Sequence, residues 1–95
     1  MRENEKLTVF AEGRIDTSTS PAFDTEVKGA LEGVTELVID CRALEYVSSS
    51  GLRVLLNLHK IMSERNGTLT IKSPTKMVSE VLEITRFADI LTIEQ

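Results

Sequence analysis

Three consecutive serines, Ser48, Ser49 and Ser50, followed at once by Gly51 and Leu52, form the densest set of chemically useful side chains in the sequence. They stand between an apolar run, Leu37-Val38-Ile39, and a leucine-rich segment from Leu52 to Met62. The first reads as a buried strand and the second as an amphipathic helix, so the hydroxyls fall at a helix start. A helix start leaves about four backbone N–H groups without intrahelical partners and carries partial positive charge. Hydroxyls cap such groups, and a phosphate added there would be held well. A lone serine in this position is most often a simple cap. Three serines for one capping position leave hydroxyls over for other chemistry.

Other chemistries find less support. A serine hydrolase needs a base, and the single histidine, His59, lies ten residues beyond Ser49 on the same helix. That is about 15 Å at 1.5 Å rise per residue, out of hydrogen-bonding reach. Neither the Gly-x-Ser-x-Gly nucleophile turn nor the Gly-x-x-x-x-Gly-Lys phosphate loop occurs. One cysteine, Cys41, excludes an intrachain disulfide and a cysteine-cluster zinc site. Cys41 reads as a small core residue at a strand end and His59 as a packed or half-exposed imidazole. No metal or cofactor is expected.

The elements that must position the serines fit in one domain, residues 1–95, with an ordered core of about 7–93. The chain is 41% hydrophobic and 27% charged, ordinary for a soluble fold. Its net charge is −4 and no Lys/Arg block occurs, which argues against direct nucleic-acid binding. No long apolar span suggests a signal peptide or membrane insertion. A cytoplasmic protein working through a protein partner is the expectation.

In chain order, Met1 to Lys6 is polar and expected to fray. Leu7 to Glu12 reads as a strand, Gly13-Arg14 as a tight turn, and Arg14-Ile15-Asp16 as a short returning strand. The polar run Thr17 to Ser20 before Pro21 marks a helix start, with Thr19 or Ser20 as the cap. Phe23, Val27, Ala30 and Leu31 give that helix its apolar face, and Gly33 is its expected left-handed stop. After the strand at Leu37 to Ile39 a short loop leads to the serines. The helix beyond them is apolar over more than half its circumference, with a solvent stripe of Arg53, Asn57, Lys60 and Glu64. Asn66-Gly67 ends it, Thr68 to Lys72 alternates as a strand, Ser73-Pro74 opens a third helix, and Ile90 to Ile93 is the last strand. The order is β-β-α-β-α-β-α-β. Helix-separated strands pair in parallel and the opening pair is close enough to be antiparallel. The expected fold class is α/β: a mixed, mostly parallel sheet with helices mainly on one face.

Gly13-Arg14-Ile15-Asp16, Thr19-Ser20-Pro21, Val38-Ile39-Asp40 and above all Tyr46-Val47-Ser48-Ser49-Ser50-Gly51-Leu52-Arg53 resemble the STAS domain, and more narrowly the bacterial anti-sigma factor antagonists. The similarity runs from about Leu7 to Ile93. It implies a non-enzymatic protein that binds an anti-sigma factor with serine kinase activity and so releases a sigma factor. It implies phosphorylation of one serine, which abolishes binding, and a cognate serine phosphatase that restores it. By position the phosphoacceptor is Ser49, two residues before the glycine. Founding members carry Asp where Ser48 stands, and many relatives share the serine. Asp16 matches an aspartate bordering the same partner surface, which the resemblance extends to Thr19, Ser48, Ser49, Ser50, Gly51, Leu52 and Arg53. Weak nucleotide binding near Asp16, without hydrolysis, is also implied. Thr85-Arg86-Phe87 replaces the usual Thr-Gly-Leu, so a different helix ending is expected there. The same fold also serves as a subunit of lipid-transport ABC complexes and stress-signalling scaffolds, the alternative reading.

Overall fold

Apolar side chains line up across the strands in rungs. Leu7, Leu37 and Leu69 share one rung, and Val9, Ile39, Ile71 and Ile93 share another. The residues between them form a second face, with rungs Thr8-Val38-Thr70-Thr92 and Phe10-Asp40-Lys72-Glu94. Because successive side chains on a strand point to opposite sides, this alternation makes one sheet face the core. The other is more open at its edges, with Phe10, Thr92 and Glu94 exposed, but buried at Val38 and Asp40 on the central strand.

The computed structural model describes residues 2–3 and 5–95. Its elements are β1 (Arg2–Glu3), β2 (Lys6–Ile15), α1 (Ser20–Gly29), β3 (Glu36–Val47), α2 (Ser49–Glu64), β4 (Thr68–Lys72), α3 (Lys76–Ile84), a 3₁₀ turn (Phe87–Asp89) and β5 (Thr92–Glu94). The strands lie in the order β1-β2-β3-β4-β5. Among the described residues only the β1–β2 pair is antiparallel; β2 through β5 run parallel. Val27 of α1, Leu55, Leu58 and Met62 of α2, and Val78 and Leu82 of α3 join Leu37, Ile39 and Ile71 in one core. The central strand β3 is buried at every position from Leu37 to Cys41. The mixed sheet with helices mainly on one face is thus as expected.

Several boundaries differ. Gly13 has φ 66° but does not turn the chain back: β2 runs straight through it to Ile15, parallel to β3. The positive φ serves a bulge, so the expected returning strand at Arg14 to Asp16 does not exist. The antiparallel opening pair is instead Arg2–Glu3 against Lys6–Leu7, within a stretch expected to fray; Met1 and Asn4 of that stretch lie outside the described residues. The loop expected after Ile39 is strand up to Val47, because the bulges let β3 stay paired with β2 to its end.

The helix ends also moved. α1 stops at Gly29 with Ala30 as its C-cap, and Gly33, at φ 75°, turns the chain a few residues later. Thr75, not Ser73, caps α3: its Oγ1 accepts from Val78 N at 3.3 Å and donates to the Leu44 carbonyl at 3.2 Å. The different ending expected where Thr85-Arg86-Phe87 lacks glycine does not occur: Arg86 itself takes the left-handed position after α3 at φ 68°, the backbone shape glycine would favour. The last strand begins at Thr92, two residues later than expected, because Phe87–Asp89 winds into the 3₁₀ turn. Asn66, at φ 60°, closes α2 as foreseen. The four residues of the expected solvent stripe, Arg53, Asn57, Lys60 and Glu64, are all exposed.

Candidate functional site

β2 and β3 finish on the same rung, Ile15 opposite Val47. The loop from Asp16 to Thr19 and the serine run therefore emerge side by side at one end of the sheet. The Ile15 carbonyl ties them, accepting a hydrogen bond from Ser48 N at 2.9 Å. Gly51 lies directly against that carbonyl: a Cβ built on it would sit 2.7 Å from Ile15 O and 2.7 Å from Val47 Cγ2. Only a residue without a side chain lets the first turn of α2 seat this closely on the end of β2.

The three serines divide the work. Ser48 is extended (φ −88°, ψ 177°) and caps α2, its Oγ accepting from Gly51 N at 3.2 Å. Ser50 is half-buried and its Oγ lies 3.4 Å from Thr17 Oγ1, a hydroxyl pair joining the two loops. Ser49, the first residue of α2, is exposed, and its hydroxyl forms no hydrogen bond among the described residues. Gly51 and Leu52 are buried beneath the serines, and Arg53 is exposed one turn along.

Asp16 organises the neighbouring loop. Its Oδ1 accepts from Ser18 N at 3.0 Å, Ser18 Oγ at 2.8 Å and Thr19 N at 3.1 Å. Its backbone carbonyl accepts from Thr19 N and Ser20 N at the start of α1. These donors favour the ionised carboxylate: the Ser18 hydroxyl first, then the Thr19 amide, hold Asp16 down at about 2. Thr19 stands at the N-cap of α1 but makes no side-chain cap bond. Its Oγ1 instead accepts from Asp16 N at 2.8 Å and reaches the Arg14 carbonyl at 2.9 Å.

Sequence reasoning missed Arg14, Thr17 and Tyr46. Arg14 lies over the Tyr46 ring, 4.4 Å from its centroid, and its Nε is 3.4 Å from Asp16 Oδ2. The two stand on the same rung, each one place before its strand's last residue. The signal was there in the equal offsets of Arg14 from Asp16 and Tyr46 from Ser48, but it needs the parallel register to be seen. A groove of about 520 Å³ between α1 and α2 opens beside the serines, lined by Ser20, Pro21, Asp24, Ser50, Arg53, Val54 and Asn57.

Chemically, the site offers an accessible hydroxyl on a rigid frame. His59 is half-buried farther along α2, and its Nδ1 is buried without a partner. Cys41 is in the core, its thiol pushed up to about 12 by burial and then by the neighbouring Asp40. Among the described residues no group of three or more His, Cys, Asp or Glu could hold a metal ion, and no helix is long and apolar enough to cross a membrane.

The family model for the STAS domain matches residues 1–95. An anti-sigma-B factor antagonist of Listeria monocytogenes is 30% identical over 95 residues, covering 98% of this chain and 82% of that protein. Among solved structures, a Thermotoga maritima protein described as a candidate anti-sigma factor antagonist superposes with a TM-score of 0.91 at 20% identity, over 98% of this chain and 81% of the other. The Bacillus cell-fate determinant SpoIIAA in its phosphorylated form superposes with a TM-score of 0.77 at 15% identity, over 100% of this chain and 87% of the other.

Proposed function

Because the chain belongs to the STAS domain family, we propose that it is an anti-sigma factor antagonist whose binding to an anti-sigma factor is switched off by phosphorylation of Ser49. The observation that carries this reading is the division of labour among the serines. Ser48 makes the cap, Ser50 faces Thr17, and the exposed hydroxyl of Ser49 is left for modification. The likeness to a relative described as an anti-sigma-B factor antagonist supports the partner class. A fold neighbour that exists in a phosphorylated form supports the switch.

The docking surface is formed by Asp16, Thr19, Ser48, Ser49, Ser50 and Arg53, with Gly51 and Leu52 holding it from beneath. The partner is an anti-sigma factor with serine kinase activity, and a cognate phosphatase reverses the modification. The protein works in the cytoplasm and has no turnover of its own, since among the described residues no base hydrogen-bonds Ser49. Two negative charges on the first residue of a helix are favoured by its dipole. Phosphorylation therefore leaves the fold intact and acts through bulk and charge at the surface.

The test is incubation of wild type, Ser48→Ala, Ser49→Ala and Ser50→Ala with the kinase and ATP, followed by mass spectrometry. Only Ser49→Ala should fail to accept phosphate, while still binding the partner. Ser49→Asp should bind more weakly. If Ser49→Ala is modified as fast as wild type, the assignment is wrong.

A further inference from the structure

Three of the arginines are engaged by their surroundings, while Arg86 beyond α3 is exposed. Arg14 is held by Asp16 and Tyr46, Arg42 by Asp40, and Arg65 by the carbonyls of Leu31 and Val34. Arg53 is different. It is exposed in the second turn of α2 and its side chain forms no hydrogen bond or ion pair among the described residues. The helix supplies it with no acid: Glu64 is the only carboxylate on α2, and at four-residue spacing it stands beside Lys60. At that spacing from Arg53 stand Asn57 on one side and Ser49 on the other.

We infer that Arg53 is the intramolecular partner of a phosphate on Ser49, so that modification of the serine creates the acid that α2 does not otherwise place one turn from Arg53. This rests on the assignment of Ser49 as the phosphoacceptor. Residues four apart lie one above the other on a helix face, and an anion on the N-terminal side of a cation is the favourable order. A guanidinium can take a phosphate through two N–H groups at once. Asp24 of α1 lines the same groove as Arg53, with its Oδ1 buried and unpartnered among the described residues. Asp16 stands in the loop beside the serines, and Glu26 of α1 and Glu45 near the end of β3 are exposed. Asp16 is engaged by Ser18 and Thr19, and Asp24 Oδ2 lies 3.0 Å from Lys28 Nζ. Arg53 lines the groove between α1 and α2 beside Ser50 and Asn57. Pairing with the phosphate draws the arginine toward Ser49 and withdraws a free cation from that groove. The switch then changes the surface twice, adding negative charge at one point and removing an available positive charge at another.

The experiment incorporates phosphoserine at position 49 during synthesis of the full chain, so that no kinase is needed, and follows the phosphorus resonance against pH. In wild type the guanidinium favours the dianion. The second proton should leave with an ionisation constant roughly 1.5- to fivefold larger than in Arg53→Gln. Arg53→Lys, which keeps the charge, should titrate close to wild type. Identical titrations of wild type and Arg53→Gln overturn the inference, as does an Arg53→Lys curve that follows Arg53→Gln. A kinase that modifies a different serine defeats the assignment of Ser49 but leaves this titration unchanged, so the two failures are distinguishable.

Discussion

Replacing Gly51 by alanine isolates the contact on which the candidate site is seated. The added Cβ would lie 2.7 Å from Ile15 O, 2.7 Å from Val47 Cγ2 and 2.8 Å from Ile15 Cγ2. Side-chain methyls can yield a little, but the carbonyl cannot move freely, because it accepts the hydrogen bond from Ser48 N at 2.9 Å. Relief requires either the end of β2 or the first turn of α2 to shift. Against this, alanine in a helix is favoured over glycine by about 1 kcal/mol. Overpacking costs about 1–3 kcal/mol and weakening a hydrogen bond roughly 1 kcal/mol more. The balance is a net loss of about 1–3 kcal/mol, or roughly 4 to 20 °C in melting temperature for a domain of this size. Urea titration of Gly51→Ala beside wild type measures it. Amide spectra should show displacements concentrated at Ile15, Thr17 and Ser48 to Leu52. A variant as stable as wild type, with unmoved amides at these positions, would refute the reasoning.

Three other outcomes follow from particular contacts. Asp16 titrates at about 2 in the folded chain against an ordinary 3.8, so its bonds stabilise the fold above the higher value and are lost as pH falls through the lower one. Asp16→Ala should therefore be less stable than wild type at neutral pH, with urea midpoints that converge as the solution is acidified through that window. Arg86→Gly should raise stability by up to about 1 kcal/mol, since relief of the left-handed backbone outweighs the extra freedom of glycine in the unfolded chain; a lowered urea midpoint would count against it. Cys41, buried and with its thiol raised to about 12, should resist a thiol reagent at neutral pH in the native state and react promptly in concentrated urea. Rapid labelling without denaturant would show that β3 opens locally.

The sheet and the long helix were legible because burial dictates their patterns. Thr68 to Lys72 alternates and is a strand over those residues, and the stripe Arg53, Asn57, Lys60 and Glu64 is the wet side of α2. Gly13 misled because glycine marks a positive φ without saying whether the chain reverses or bulges. Only the partner strand decides that. Ser73-Pro74 marked the opening of α3 two residues early, since Ser73 has a left-handed backbone (φ 52°) and Thr75 is the cap. The serine run was legible as a helix start, yet which hydroxyl caps is a matter of geometry at Ser48. The contribution of Thr17 and Tyr46 depended on two strands ending together, which no local pattern records.

The bulges between β2 and β3 have a consequence for how this protein can vary. From Phe10 to Ile15 the chain takes five steps on β2, while β3 takes seven from Asp40 to Val47 to reach the same rung. The surplus residues act as a spacer that brings the serines level with Asp16. Removing one would pull the serine run back by about 3.3 Å and turn every following side chain to the opposite face. Side chains such as Ala43 and Glu45 are exposed and free to drift in identity. The number of residues between Asp40 and Ser48 is not, so among relatives sharing this site the length of that segment should vary far less than its composition.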